Sequence, residues 1–107
     1  MTHVHLIGIG GTGLSAIAQV LLESGYTVSG SDRQASALEQ RLEAAGAQVF
    51  IGHQPEHVKG ANLVVRSSAV PDDNPEVIAA RQSNIPVLKR ADFLNHILQG
   101  HDVIAIA

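Results

Sequence analysis

The sequence predicts an α/β domain built on an open, parallel sheet with helices on both faces. Two observations predict it: short apolar runs alternate with amphipathic runs along the 107 residues, and aliphatic residues dominate the apolar runs. Strands that are apolar throughout need cover on both faces, which the crossover helices of a parallel sheet provide. A chain of this length fits one domain, residues 1–107.

Apolar runs that are too short for helices predict the strands. They are Val4 to Ile9, Tyr26 to Gly30, Gln48 to Ile51, Leu63 to Arg66, Val87 to Leu88 and Val103 to Ala107. The last of these runs ends the sequence inside an apolar stretch, and we expect the chain to be a piece of a longer protein.

The first two helices are predicted by apolar positions that recur every three or four residues. In the first helix these positions are Leu14, Ile17, Ala18, Leu21 and Leu22, and Gly25 ends it. The second helix begins at the capping box SALE, residues 36–39, and ends at Gly46. Its predicted buried stripe is Leu38, Leu42 and Ala45.

Two further helices follow a turn-rich stretch, GHQPEHVKG, at residues 52–60. Asn74 caps the third helix with Pro75 at its first position, and Ile85-Pro86 ends it. The fourth helix is marked by Phe93, Leu94, Ile97 and Leu98. The whole order is β-α-β-α-β followed by β-α-β-α-β, with right-handed crossovers.

The glycines Gly8, Gly10 and Gly13 have the G-x-G-x-x-G spacing, where the first strand passes into the first helix. In a Rossmann-like fold the first permits a tight turn, the second lets backbone approach a phosphate, and the third lets helix and strand pack closely. Free N–H groups at the helix start attract a diphosphate. The alternative is a tight turn with a purely structural role.

Asp32 ends the second strand, 19 residues after Gly13. This is close to the position of the acid that binds a ribose hydroxyl in dinucleotide-binding folds, so these residues alone would suggest NAD. The alternative is a solvated carboxylate or a helix cap.

Ser67 and Ser68 directly follow the fourth strand, so we expect their hydroxyls at the carboxyl edge of the sheet, where ligands of such sheets bind. Equally, they could form the turn before Pro71. His53 is a candidate polar contact in the same crevice, with a surface role as the alternative.

Charged residues near the fourth strand give less indication of a function. Arg66 could contact a phosphate, although arginines at strand ends are more often surface groups. The pair Asp72-Asp73 is expected to cap the helix that follows rather than to perform chemistry.

Composition argues against several functions. The net charge is −3 and no window concentrates Lys and Arg, so we expect no nucleic-acid partner. There is no cysteine, which is compatible with a reducing cytosol. The start MTHVHLIGIG has no leader pattern, and no run approaches the ~20 apolar residues of a membrane span. We expect a soluble cytoplasmic protein that does not bind a membrane.

Neither metal binding nor catalysis is predicted. His3 and His5 alternate on the first strand and share a face, but a third ligand is not evident. His53 and His57 have helical ligand spacing, but Pro55 between them indicates a turn. The sequence has no G-x-x-x-x-G-K-[ST] loop, nucleophile elbow or carboxylate pair with acid-base spacing. We therefore expect a binding domain with no catalytic residue, no metal ligand and no cofactor of its own.

Three stretches resemble the N-terminal domain of the UDP-N-acetylmuramate:L-alanine ligases, a branch of the Mur ligase family in peptidoglycan synthesis. They are HLIGIGGTGLSAIAQVLLESGYTVSGSD, RSSAVPDDNPEVIAARQSNIPVLKRADFL and VIAIA. The most specific parts are the Gly-Ile-Gly-Gly loop with Ser15, the Ser31-Asp32 pair, and the run from Ser67 to Pro71 that leads to Asn74-Pro75-Glu76. The family usually has Ala at Thr12 and Met at Leu14, and both changes leave the glycines intact.

The resemblance implies that the domain binds UDP-N-acetylmuramate rather than NAD. It implies that the diphosphate lies at the loop Gly10 to Ser15, and the uridine near Asp32, His53 and the Ser67-Ser68 segment. The predicted substrate-binding residues are Gly8, Gly10, Gly11, Thr12, Gly13, Leu14, Ser15, Ser31, Asp32, His53, Ser67 and Ser68.

The resemblance also implies that ATP and Mg²⁺ act in a central ATPase domain of the parent chain, which would follow the strand VIAIA. In such a ligase ATP phosphorylates the muramoyl carboxylate, and the alanine amine attacks the acyl phosphate. We predict that this chain alone binds the UDP-sugar weakly and catalyses nothing.

Two other interpretations stay open. An NAD(P)-binding domain of an oxidoreductase or regulatory protein fits the glycines and Asp32, but it leaves RSSAVPDDNPEV unexplained. A non-catalytic assembly domain would use the glycine loop only as a turn. Within the family, a related enzyme that attaches a tripeptide typically has Gly-Ile-Cys-Gly-Thr in the loop and lacks Ser-Ser-Ala, so the chain resembles the alanine ligases better.

Overall fold

A computed structural model describes residues 3–9, 12–33, 37–67 and 69–93. Over these residues, five strands form one parallel sheet in the order β3-β2-β1-β4-β5. The strands are β1 (His3–Ile7), β2 (Thr27–Asp32), β3 (Gln48–Ile51), β4 (Leu63–Arg66) and β5 (Val87–Lys89). The predicted open, parallel α/β sheet is confirmed.

The strands are connected by helices whose apolar faces lie against the sheet. These are α1 (Thr12–Glu23), α2 (Ala37–Ala44) and α3 (Pro75–Gln82), with a 3₁₀ helix (Pro55–Val58) between β3 and β4. In the part of the chain that the structure describes, no helix is long and apolar enough to cross a bilayer.

Two separate apolar cores lie on the two faces of the sheet, because neighbouring residues of a strand point to opposite faces. Leu6 of β1 packs with α1 and α2, whereas Ile7 packs with the 3₁₀ helix and α3. Val65 and Val64 of β4 divide between the two cores in the same way. The sheet is therefore covered on both faces, as its apolar strands predict.

The direction of winding reverses between β1 and β4. From β1 the chain moves outward through β2 to β3, then returns to place β4 on the other side of β1 and continues to β5. Ligands of open α/β sheets bind in the crevice at such a switch point, outside the carboxyl ends of the strands. Gly8 and Ser67, which follow β1 and β4, lie there.

Several element bounds differ from the prediction for local reasons. β1 ends at Ile7 rather than Ile9 because Gly8 has a φ of +87° and its N–H bonds to the Ser31 carbonyl at 2.8 Å. β2 runs to Asp32 rather than Gly30, because residues 31 and 32 still pair with β3. α1 begins two residues before Leu14, whereas β3 and β4 match the predicted bounds.

The buried stripe of α2 and the stretch before β4 also needed correction. Ala45 is exposed, and Ala47 is buried instead because its N–H turns back to the Leu42 carbonyl at 2.9 Å. The stretch GHQPEHVKG contains a 3₁₀ helix rather than turns alone. Ser36 of the capping box, the apolar positions 94, 97 and 98 of the fourth helix, and the strand at 103–107 lie outside the described residues.

Candidate functional site

A cleft of about 470 Å³ lies at the switch point, at the carboxyl edge of the sheet. Its volume is within the range of about 300 to 1,000 Å³ that is typical of small-molecule sites. Residues from four strand ends and from the segment before α3 line it, including Gly8, Asp32, His53, Ser67, Asp73 and Asn74.

The turn after β1 and the exit of β4 touch each other inside this cleft. Gly8 adopts a positive φ, and a Cβ built on it would lie 3.2 Å from the Ser67 Cβ. The Ser67 N–H donates to the Ile7 carbonyl at 3.1 Å, and its hydroxyl accepts from the Ala69 N–H at 3.3 Å. A side chain at residue 8 would therefore both strain the turn and press on the cleft wall.

Four of the predicted substrate-binding residues, Gly8, Asp32, His53 and Ser67, line this one cleft. Asp32 also makes a local contact, since its Oδ1 accepts from the Arg33 N–H at 2.7 Å. Their role as ligand contacts stays a prediction. Gly10, Gly11 and Ser68 lie outside the described residues, as does the side chain of Thr12.

The other predicted loop residues lie elsewhere. The Leu14 side chain is 1% exposed in the core, so only its backbone could meet a ligand. Ser15 is half-buried on α1. A Cβ on Gly13 would lie 2.5 Å from the Arg90 Cδ, so its closest neighbour is an arginine side chain rather than the strand that we predicted.

A closer backbone approach occurs at Gly30 of β2. A Cβ there would lie 2.5 Å from the Ile9 side chain and 2.9 Å from the Leu6 carbonyl oxygen. The turn after β1 thus folds back onto β2, and any residue larger than glycine at position 30 would displace it. No pattern in the sequence marks this glycine, because its importance depends on the neighbouring strand.

Beneath the cleft lies a fully buried carboxylate, Glu76, in the first turn of α3. Asn74 caps this helix, as predicted: its side chain accepts from the Glu76 N–H at 2.9 Å, and Pro75 occupies the first turn. The positive end of the helix dipole favours a carboxylate at this position.

Four donors satisfy the Glu76 carboxylate. Oε1 accepts from His5 Nε2 at 2.6 Å and from the Ser31 hydroxyl at 2.7 Å. Oε2 accepts from His57 Nδ1 at 2.8 Å and from the Gln54 N–H at 3.1 Å. An ionised carboxylate offers about four lone-pair positions, so these donors fill them.

These contacts decide the charge state of Glu76. Burial raises the pKa of the carboxyl, but hydrogen bonds from His5, Ser31 and His57 outweigh it and lower the pKa to about 2. A buried carboxylate is tolerated when its oxygens are fully hydrogen-bonded, which is the case here. Glu76 is therefore ionised at neutral pH.

The network continues along β1 and β2, away from the cleft. His5 is fully buried, and its Nδ1 lies 2.8 Å from the Ser29 hydroxyl, which also lies 2.6 Å from His3 Nε2. His3 and His5 thus share a face, as predicted, and both contact one serine. Burial lowers the pKa of His3, and the charge of His5 lowers it further, while a hydrogen bond to the Gly60 carbonyl opposes the shift.

His57 is held by an aromatic neighbour as well as by Glu76. Its ring stacks on Phe50 of β3 with centroids 4.1 Å apart and planes 11° apart. His53 lies at the top of the network: its Nδ1 is 3.0 Å from the Ser31 hydroxyl and 3.4 Å from Glu76 Oε2. The Ser31 hydroxyl, predicted to bind substrate, is thus directed into the protein.

Within the described ranges, no group of three or more His, Asp or Glu side chains is arranged to hold a metal ion. The chemistry of the network agrees, because a metal needs nitrogen lone pairs, whereas the histidine nitrogens that face Glu76 donate protons to it. The cluster is therefore a hydrogen-bond network.

The acidic pair before α3 does not act as predicted. Asp72 pairs with Arg66, and Arg81 lies 3.5 Å from the same oxygen. The hydrogen bond and charge of Arg66 hold the pKa of Asp72 below its usual range. Arg66 is 6% exposed, so the prediction that it is a surface group was wrong. The helix is capped by Asn74 rather than by Asp72 or Asp73.

Sequence reasoning missed Glu76 as part of the site. A signal existed: a strand covered on both faces buries His5, and a buried imidazole needs a polar partner. The partner lies 71 residues away in sequence, so only the fold identifies it.

The sequence profile described as "Mur ligase family, catalytic domain" matches residues 3–102. A UDP-N-acetylmuramate--L-alanine ligase of Laribacter hongkongensis is 57% identical over 105 residues, which are 98% of this chain and 22% of that protein. The chain thus spans about a fifth of the length of the curated relatives that it matches.

Solved structures agree with this match. UDP-N-acetylmuramate-alanine ligase of Thermotoga maritima superimposes with a TM-score of 0.88 at 31% identity, over 92% of this chain and 23% of that one. A ligase of Neisseria meningitides named for UDP-N-acetylmuramate and L-alanyl-gamma-D-glutamyl-meso-diaminopimelate gives 0.79 at 29%, over 88% and 30%. Reductases at 16–22% identity share the fold alone, so they do not favour the NAD(P) alternative.

Proposed function

Since this chain belongs to the Mur ligase family, we propose that it is the UDP-N-acetylmuramate-binding domain of a ligase that joins L-alanine to that nucleotide sugar. The observation that carries the proposal is the 57% identity to an enzyme of that name across 98% of the chain. The parent reaction would serve peptidoglycan synthesis. The alternative, a ligase that attaches a tripeptide, is less well supported, because the solved structure of that kind is less similar to this chain than the alanine ligase is.

The cleft at the switch point supports a nucleotide as the ligand. Its polar wall combines the Asp32 carboxylate, the His53 ring and the Ser67 hydroxyl, which suit the hydroxyl and imide groups of a uridine. The turn at Gly8 leads into the start of α1, where a diphosphate would meet backbone N–H groups and the positive end of the helix dipole.

ATP and Mg²⁺ would belong to the central domain of the parent enzyme, which would be the direct partner of this one. The sequence has no G-x-x-x-x-G-K-[ST] loop, the kind that cradles the phosphates of ATP with a lysine and places a hydroxyl on Mg²⁺, so the residues present do not fit these groups. We expect that the chain by itself does not hydrolyse ATP. A cytoplasmic location is proposed for the parent enzyme, in keeping with a sequence that has no cysteine.

The proposal is tested by titration calorimetry of the chain with UDP-N-acetylmuramate, with NAD and NADP as matched titrants. We expect heat of binding from the UDP-sugar alone. Ser67→Ala should weaken that binding, whereas Ser24→Ala, an exposed position after α1, should not. Binding of NAD, or no binding of the UDP-sugar, would contradict the proposed ligand.

A further inference from the structure

The buried network fixes the direction of one hydrogen bond at the cleft. A serine hydroxyl has a single proton, and that of Ser31 is donated to Glu76 Oε1 at 2.7 Å, because an ionised carboxylate can only accept. Ser31 is fully buried, so water does not compete for this bond.

His53 must then donate to Ser31 rather than accept from it. The two atoms, His53 Nδ1 and Ser31 Oγ, are 3.0 Å apart, and the serine has no second proton to offer. The proton of a neutral His53 ring is therefore on Nδ1, and Nε2 keeps a lone pair.

The remaining acceptor of His53, its Nε2 atom, is available at the cleft. The ring lines the cleft wall, and its side chain is 16% exposed. Within the residues that the structure describes, Nε2 makes no hydrogen bond, so a ligand can supply its partner.

We infer that Ser31 and Glu76 are positioning residues that hold His53 as a hydrogen-bond acceptor for an N–H or O–H donor of the nucleoside. A diphosphate offers only acceptor oxygens at neutral pH, so the neutral ring does not suit it. His53 would select for the uracil or ribose end of the ligand. This inference rests on the proposed function and names the part of the nucleotide sugar that meets the His53 side of the cleft.

Glu76 acts here through Ser31 and not through direct contact with ligand. His5, His57 and the Gln54 N–H face the same carboxylate from β1, the 3₁₀ helix and the segment before it. They hold it against rotation, so that Oε1 stays aligned with the Ser31 hydroxyl. Removing the hydroxyl breaks the relay while leaving the carboxylate with three donors.

The experiment reads the tautomer of His53 from its imidazole ¹⁵N shifts by NMR, at about pH 8, where an ordinary imidazole is neutral. The variant is Ser31→Ala, and the matched control is Ser29→Ala on the same strand. Ser29 is also buried and bonded to histidines, but it does not touch His53.

We expect the Nδ1–H form in the wild-type chain and in Ser29→Ala, and a mixture of tautomers in Ser31→Ala. The dissociation constant for UDP-N-acetylmuramate should rise about fivefold to tenfold in Ser31→Ala, the worth of one oriented hydrogen bond. It should stay within about twofold in Ser29→Ala, which removes no group from the cleft.

A wild-type His53 in the Nε2–H form would overturn the inference, and this reading needs no variant to fold. So would unchanged tautomer and affinity in Ser31→Ala. A fixed Nδ1–H form in a chain that does not bind the UDP-sugar would instead overturn the proposed function, so the two failures are distinguishable.

Discussion

The two faces of this sheet are covered by different kinds of side chain. The face under α1 and α2 is covered by aliphatic side chains and Phe93, with Val4, Leu6 and Val65 fully buried. The face under α3 and the 3₁₀ helix combines a smaller apolar core with the network of Glu76, His5, Ser31 and His57.

The difference shows that one face of the sheet mainly stabilises the fold, whereas the other also positions side chains. An apolar core is non-directional, so it stabilises the sheet without fixing any one atom. Hydrogen bonds to a buried carboxylate are directional, and they break if the donor groups move. Such a carboxylate therefore fixes the directions of the groups around it. The polar face is the one that reaches the cleft, through Ser31 and His53.

The largest expected effect comes from breaking the polar face. Glu76→Ala should lower the free energy of unfolding by about 3 to 5 kcal/mol, because it leaves three side-chain donors and the partly buried Gln54 N–H without an acceptor. Urea denaturation at pH 7 measures this. A loss below about 1 kcal/mol would mean that the network does not stabilise the fold.

A similar loss is expected from the apolar face, for a different reason. Leu6→Ala should cost about 3 kcal/mol through lost burial and the cavity that it leaves. The same denaturation should give a loss that stays constant between about pH 7 and pH 4, since no titratable group is removed.

The pH dependence of stability should distinguish the two faces of the sheet. The folded pKa of Glu76, about 2, lies below the ordinary 4.5, so its contribution of about 3 kcal/mol is fully present above pH 4.5. As pH falls from 4.5 through about 2, the contribution is lost. The stability gap between the wild-type chain and Glu76→Gln should therefore narrow below pH 4.5. A gap that does not change between pH 7 and about pH 3 would contradict the assigned ionisation.

The smallest effect is expected at the far end of the network. Ser29→Ala removes a hydroxyl that bridges His3 and His5, and should cost about 1 kcal/mol. Thermal denaturation measures the loss, and calorimetry should find UDP-N-acetylmuramate binding unchanged. Weaker binding in this variant would mean that the whole network, rather than its Ser31 end, shapes the cleft.

Much of the fold was predictable because its signals are local. The strands β3 and β4 and the Asn74 cap follow from apolar runs and from one Asn-Pro pair. Errors arose where tertiary pairing extends or shortens an element, as at Asp32, which stays in β2 because it pairs with Ile51. Ala45 and Ala47 exchanged roles because the chain turns back onto Leu42.

The candidate site was predictable only where it is made of strand ends. Gly8, Asp32 and Ser67 each follow or end a strand, and parallel strands bring such residues to one edge. Glu76 is on a helix and meets His5 of the central strand β1 from one face of the sheet, a pairing that no spacing in the sequence encodes. The resemblance pointed to Ser31, but its hydroxyl faces the network rather than the cleft.

The central claim is that the cleft at the switch point binds the nucleotide sugar. Titration of UDP-N-acetylmuramate into the ¹⁵N-labelled chain, followed by amide NMR shifts, tests it most directly. We predict that the largest shifts occur at Gly8, Asp32, His53 and Ser67, with the exposed Val20 on α1 unaffected. Shifts centred on α1 around Val20, or no shift at saturating ligand, would contradict it.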